Sequence, residues 1–241
     1  MTEALKSKTA ELERLLVRVA LEHAPSALAS SLSAEDMVIT DVILRHKLGI
    51  EIFTLDTQRL HGDTLNVMAA IRERYGYDVA VFRPDPQAVA GYVADFGRDA
   101  FYESQDLRKR CCHIRKVEPL NRALEGRESW ITGQRREQAA TRADLEVQEY
   151  DAAHGMVKFN PLAGWSEDQV WEYIRAFEVP YNALHDQGYR SIGCAPCTRP
   201  TVAGEDVRAG RWWWEIREAR ECGLHAAPDG RLVRSAATSE A

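Results

Sequence analysis

Ser26-Ala27-Leu28-Ala29-Ser30-Ser31-Leu32-Ser33-Ala34-Glu35-Asp36 is the stretch that decides the fold. Residues 26–30 read as a short buried strand, and the small polar residues after it lead into a helix through Leu48. A strand, a small polar loop and a helix offer backbone N–H groups to a phosphate. A plain helix start explains the same residues, with Ser33 as N-cap and Asp36 completing a capping box. The pattern then recurs. Glu51–Leu55 is a second strand ending in Asp56-Thr57, followed by a helix over 62–75. Asp78–Phe82 is a third, closed by Pro84 and Pro86 and followed by a helix over 87–96. This β-α-β-α-β-α order predicts an α/β fold: a mostly parallel, twisted sheet with helices on both faces. Ligands in such sheets bind beyond the carboxyl ends of the strands. The serine loop and the Leu55-Asp56-Thr57 turn both fall at such ends.

On the N-terminal side, Leu5, Leu12, Leu15, Leu16 and Val19 give an amphipathic helix over 3–23, stopped by Pro25. On the C-terminal side the pattern predicts a helix from Arg110 to Ala123 and a strand over Trp130–Gly133. A hairpin or edge pair follows around Gly155, from Glu146–Tyr150 and Val157–Phe159. Ser166 caps a helix through Phe177, and Pro180 ends it. Three adjacent tryptophans, Trp212 to Trp214, cannot all face one helix core. At least one is expected on another element or on a partner subunit, which fits a homo-oligomer. Residues 226–241, rich in Ala, Ser and Gly, read as a flexible tail. No internal repeat or second domain is visible, so 1–225 is expected to form one domain with its core at 26–225.

Composition narrows the function. The chain has 241 residues, 45 % hydrophobic and 28 % charged, with a net charge of -6. The acidic balance argues against general nucleic-acid binding. No apolar run approaches the ~20 residues of a membrane span, and Met1–Lys6 lacks the apolar core of a signal peptide. An anionic ligand would need a local basic group, and Arg110, Arg115, Lys116, Arg135, Arg136, Arg142, Arg208 and Arg211 are the candidates.

The five cysteines are Cys111, Cys112, Cys194, Cys197 and Cys222. An odd count without a secretion signal reads as reduced and cytoplasmic. Four thiolates are a ligand set for soft metals and iron–sulfur clusters. Cys194-Ala195-Pro196-Cys197 can bite one centre. The adjacent Cys111-Cys112 pair can face one object if it is as large as a cubane, or if a helix begins there. On spacing alone a cluster, a zinc site, and buried cysteines beside a redox pair all stay open.

Taken together, the motifs resemble the assimilatory sulfonucleotide reductases, in particular the cluster-containing, thioredoxin-dependent adenylyl-sulfate reductases. The resemblance rests on Ser31–Asp36, Leu55-Asp56-Thr57, Lys109–Lys116, Gly133–Arg136 with Thr141-Arg142, Gly193–Arg199, Gly210–Glu215 and Glu221–His225, in the family's order over about residues 30–225. It implies an ATP-pyrophosphatase-type (adenine nucleotide α-hydrolase-like) fold. It implies a [4Fe-4S] cluster on Cys111, Cys112, Cys194 and Cys197, and reduction of adenosine 5′-phosphosulfate (APS) to sulfite and AMP. Lys116, Arg208, Arg211 and His225 match the family's sulfate-binding positions, and Arg142 its α-phosphate position. Ser31, Ser33, Leu55 and Gly133 fall at its nucleotide-binding positions. The serine loop is one residue shorter than in relatives, so which serine meets the nucleotide is left open. Cys222 is then the nucleophile, carrying an S-sulfonate that thioredoxin, or a glutaredoxin-like reductant, resolves, with Gly223 as hinge. The nearest rival substrate is the 3′-phosphorylated nucleotide (PAPS), alone or with APS. In the family, enzymes without the cluster cysteines favour it. An RNA-thiolating enzyme of the same fold would want a Ser-Gly-Gly-x-Asp loop and a basic face, and neither is present. A non-catalytic iron–sulfur protein would leave Cys222, His225 and the arginines unexplained.

Overall fold

The structure, a computed structural model, describes residues 1–215. Cys222, Gly223, His225 and the tail expected over 226–241 lie outside the described residues.

The strands are β1 (Ser26–Ala29), β2 (Ile50–Leu55), β3 (Ala80–Phe82), β4 (Ser129–Ile131), β5 (Gln148–Asp151) and β6 (Met156–Phe159). They form one sheet in the order β3-β2-β1-β4-β6-β5. Every pairing is parallel except β5 with β6. The helices are α1 (Glu3–Glu22), α2 (Ala34–Arg45), α3 (Gly62–Tyr75), α4 (Pro86–Phe96), α5 (Gln105–Cys112), α6 (Glu118–Leu124) and α7 (Glu167–Ala176).

Strand alternation sends neighbouring residues to opposite faces. Leu28, Ile52 and Ile131 pack on one side with Leu5, Leu12 and Leu16 of α1, Val38 and Val42 of α2 and Val170 and Ile174 of α7. Ala27, Phe53 and Trp130 pack on the other with Leu120, Ala123 and Leu124 of α6. Each fully buried leucine contributes about 1.5–3 kcal/mol. Both faces are therefore covered, as the β-α alternation predicts.

Four local expectations are corrected. First, α5 starts at Gln105, not Arg110. The Ser104 hydroxyl accepts from the Leu107 N–H at 3.2 Å, a cap hidden by the polar run Gln105-Asp106 and Arg108–Arg110. Cys111 and Cys112 thus end a helix, and a five-residue π-turn, His113–Val117, links it to α6. Second, the expected hairpin around Gly155 forms, β5 antiparallel to β6, but it is not an edge pair: β5 is one edge of the sheet and β6 lies inside it, parallel to β4. Third, α2 stops at Arg45. Lys47 turns left-handed (φ 51°), and the Leu48 N–H closes on Ile43 O at 2.9 Å. Fourth, Ser33 is the N-cap residue of α2 but makes no side-chain cap bond. Asp36 reaches past it and accepts from the Ser31 N–H at 2.7 Å and the Ser31 hydroxyl at 2.6 Å. No capping box forms. The carboxylate holds the serine loop instead.

Candidate active site

A cleft of about 210 Å³ opens beyond the carboxyl ends of β1, β2 and β4. Ser31, Ser33, Leu55, Lys116, Gly133, Arg142, Arg208 and Arg211 all line it. The position follows from the parallel sheet, whose strand ends and following loops meet at one edge. The serine loop is bound into shape by its own side chains. Besides the Asp36 contacts, the Leu32 N–H donates to Ser30 Oγ at 3.2 Å, with Leu32 at φ 62°. The Ala34 N–H donates to His185 Nε2 at 3.3 Å. Burial pushes the Asp36 carboxyl up to about 6, against the two Ser31 bonds. Gly133 is required by this packing: a Cβ there would sit 2.3 Å from Asp36 Oδ1.

The basic candidates divide. Lys116, Arg142, Arg208 and Arg211 face the cleft. Arg135 is buried and holds the loop, donating to Glu35 Oε1 at 2.9 Å and Trp165 O at 3.3 Å. Arg136 donates to Leu145 O at 2.8 Å. Arg110 lies 4.8 Å over the Phe96 ring. Arg115 is buried and donates to Thr57 O at 2.8 Å. So half of the group serves the framework. Which half could not be read from charge alone.

A second, smaller cavity adjoins the cleft. Cys111, Cys112, Cys194 and Cys197 all line it, with Phe101, Trp212 and Pro196 as apolar walls and Arg59, Arg108, Arg115 and Lys116 lining it as well. All four are free cysteines. Local folding brings the two pairs together. The end of α5 supplies one. A 3₁₀ turn, Ala195–Cys197, supplies the other, pinned by Ala195 N–H to Arg59 O at 2.7 Å and by Tyr102 Oη to Pro196 O at 2.6 Å. Burial pushes the Cys197 thiol up to about 12, with Cys194 and Cys112 adding to it. Burial also raises Cys111, against the cation of Arg115.

The segment 208–215 covers this cavity. The Trp212 N–H donates to Cys197 O at 3.1 Å, and Arg108 makes a two-bond ion pair with Glu215 at 2.8 and 2.9 Å, both ends buried. The guanidinium carbons of Arg108 (4.7 Å) and Arg211 (4.6 Å) both lie over the Trp212 ring. Arg211 in turn donates to Ile192 O at 3.0 Å and passes over Gly193, where a Cβ would stand 2.3 Å from its Nη2. One of the three tryptophans is thus core, while Trp213 is exposed.

The residues around this cavity fit an iron–sulfur cluster as its occupant. Four soft donors surround one cavity, the number a cubane takes. The buried Trp212 indole N–H, on the same wall, has no hydrogen-bond partner among the described residues. A cluster sulfur is an acceptor it lacks. Among the described residues no group of three or more His, Cys, Asp and Glu is placed to hold a metal ion.

Two residues join the sites. Lys116 lines both the cleft and the thiol cavity. Thr57 lines the cleft and has its hydroxyl 3.2 Å from Cys194 Sγ. Sequence reasoning missed Thr57 as a contact, and also Thr132, Gln134, Gln138, Arg190 and Ser191 on the cleft wall. Gln134 and Thr132 flank Gly133 at the end of a predicted strand. That position was the available signal.

The fold and the paired sites define a class, and the chain belongs to it: the phosphoadenosine phosphosulfate reductase domain family, whose model matches residues 25–200. Two curated relatives are named adenosine 5′-phosphosulfate reductase. That of Burkholderia cepacia is 55 % identical over 93 % of this chain and 90 % of its own length. That of Allochromatium vinosum is 53 % identical over 93 % and 88 %. Among solved structures, phosphoadenylyl-sulfate reductase from Candida auris, in a phosphate complex, matches with a TM-score of 0.68 at 24 % identity, covering 83 % of this chain and 98 % of that one. FMN adenylyltransferase from Candida glabrata, in complex with ATP, matches with a TM-score of 0.54 at 12 % identity, covering 92 % and 77 %. These two likenesses speak for the fold. No helix among the described residues is long and apolar enough to cross a membrane.

Proposed function

We propose that this chain reduces APS to sulfite and AMP, and that residues 1–225 act as one domain. The observation that carries the reading is the cleft itself. It gathers the serine loop, Arg142, Lys116, Arg208 and Arg211 beside four converging cysteines. Relatives covering nearly the whole chain bear the name of that activity.

The chemistry follows from charge. The substrate sulfur carries three anionic oxygens and is bonded through oxygen to a phosphate. A thiolate approaches it only once cations have offset that charge. In this reading Arg142 holds the phosphate and Lys116, Arg208 and Arg211 the sulfate, and the family resemblance assigns His225 to the sulfate as well. The thiolate of Cys222 attacks the sulfur. The bond from sulfur to the phosphate oxygen breaks, and AMP leaves with the electron pair. The product is a Cys222 S-sulfonate. A thiolate of reduced thioredoxin then attacks the Cys222 sulfur, and sulfite leaves. The second thioredoxin thiol closes a disulfide and frees Cys222, so two electrons from the dithiol reduce the substrate sulfur.

Cys111, Cys112, Cys194 and Cys197 would hold a [4Fe-4S] cluster. When bound, it supplies a fixed charge and a rigid core beside the sulfate subsite, and no electron need pass through it. Lys116, common to both cavities, brings a cation to sulfate and cluster alike. The reading includes a cytoplasmic enzyme and a homo-oligomer, the former from its reduced cysteines. Sulfite release by anaerobically purified protein with thioredoxin, using APS and PAPS in parallel, tests it. Turnover with APS well above that with PAPS is expected. PAPS-selective turnover would reverse the substrate assignment, and turnover with neither would end the reading.

A further inference from the structure

A buried polar chain lies behind the cleft wall formed by Thr132, Gly133 and Gln134, and its donor–acceptor sense is fixed from one end. The Glu149 carboxylate can only accept. Its Oε1 accepts from Lys158 Nζ at 2.8 Å and from Asn160 Nδ2 at 2.9 Å. The Lys158 ammonium can only donate, and its other bond goes to Gln134 Oε1 at 3.0 Å. Asn160 Nδ2 also donates to Glu146 O at 2.9 Å, which leaves its oxygen for the Thr132 hydroxyl at 2.7 Å. Each member of this wall therefore has one orientation. An amide is ordinarily free to be turned over. Here a donor-only neighbour takes the oxygen of Gln134. The nitrogen is the end left over, and it makes no hydrogen bond to any described residue. Gln134 is largely buried yet lines the cleft.

The surroundings indicate what that nitrogen meets. Arg142 and Gln138 line the same cleft. Burial lowers the pKa of Lys158, Glu149 opposes this, and the charge of Arg142 reaches it as well. Lys158 further lies 5.4 Å over the Trp130 ring, which fixes its path. The wall thus presents a fixed N–H₂ to a cleft that the Arg142 guanidinium also lines, complementary to an acceptor oxygen.

We propose that Gln134 is a specificity-determining residue, donating its amide N–H₂ to an acceptor oxygen of the bound nucleotide, with Lys158 as the positioning residue that keeps the amide turned that way. The inference rests on the nucleotide reading of the cleft. Gln134→Glu keeps the shape but can only place an acceptor, and a negative charge, where the donor stood.

Calorimetric titration of AMP and adenosine into wild type, Gln134→Glu, Gln134→Met and Lys158→Met tests this, with thermal melting as the check on folding. If Lys158→Met melts early, the double variant Lys158→Met/Glu149→Gln removes both buried charges and replaces it. Gln134→Glu is expected to weaken AMP at least about tenfold, the scale of a lost hydrogen bond plus charge repulsion. The Lys158 variant should weaken it about threefold, since the amide can then turn over. In Gln134→Met, which removes the amide without adding charge, a larger loss for AMP than for adenosine places the acceptor on the phosphate, and an equal loss places it on the ribose. Nitrogen-15 spectra supply an independent readout. The side-chain amide signals missing in Gln134→Glu should shift when AMP is added to wild type. Wild-type AMP affinity in Gln134→Glu, or amide signals that AMP does not move, would overturn the assignment. An unchanged Lys158 variant would overturn the positioning role. If wild type itself fails to bind AMP, the nucleotide reading falls, and this inference with it.

Discussion

The cleft and the thiol cavity stand side by side and are built on opposite principles. The cleft is made of strand ends and the loops that follow them, lined by hydroxyls, amides and cations, and open to a ligand. The thiol cavity is made of side chains from a helix end and a distant 3₁₀ turn, walled by Phe101, Pro196 and Trp212. The larger cleft, with its hydroxyls, amides and cations, suits a molecule that enters and leaves, and the small thiol cavity suits a resident group. Lys116 and Thr57 are shared, so the two sites are distinct in make-up yet coupled by contact.

The largest expected effect would break the comparison at the thiol cavity. Cys194→Ser should abolish iron and sulfide binding, from about four of each per chain in anaerobic wild type, while AMP affinity stays within a few-fold. Iron and sulfide analysis beside an AMP titration checks it. Full iron in the variant would remove Cys194 from the ligand set, and lost AMP binding would mean that the two sites form one structural unit.

Next comes the cleft. Arg142→Ala should weaken AMP binding by about 1.5–3 kcal/mol, through loss of a charge-assisted phosphate contact, and leave iron content unchanged. Calorimetry showing unaltered AMP affinity would take Arg142 out of the phosphate subsite.

How far these sites were legible in the sequence depends on the physics behind each. The parallel sheet could be read because strand and helix periods alternate without interruption from Ser26 to Phe96. The cleft followed, since a parallel sheet fixes which ends carry ligands. Cys111 and Cys112 could be named but not placed, because the cap at Ser104 lies in a polar run without helical period. Nor could charge alone separate Arg135, spent on Glu35 and Trp165, from Arg142 in the cleft. That separation depends on partners about thirty or a hundred residues away. Asp36 was misread for the opposite reason. A good local rule, the capping box, lost to a contact with Ser31, five residues back.

Asp36 gives the smallest effect, and it sharpens the account of the loop. Its folded pKa, about 6, lies above the ordinary aspartate value of 3.8. The group therefore favours the folded state fully below the unfolded pKa, and that contribution is lost as pH rises through about 6. Wild type should lose about 2 kcal/mol of stability between pH 4 and 7 relative to Asp36→Asn, a shift of this size being worth at most about 3 kcal/mol. Denaturant unfolding of both proteins across that range checks the slope. Parallel pH profiles would mean that Asp36 is ionised throughout and that the serine loop carries a permanent negative charge.

The central claim is that substrate bound in the cleft transfers its sulfonate to a cysteine that is not one of the four in the cavity. Mass spectrometry of protein mixed with APS, without thioredoxin, tests it most directly. The account predicts a gain of about 80 Da, the mass of one sulfonate on sulfur, on the peptide holding Cys222, and no gain in Cys222→Ser, whose hydroxyl is a poor nucleophile. The same mass on Cys194 or Cys197, or an adduct that persists in Cys222→Ser, would contradict it.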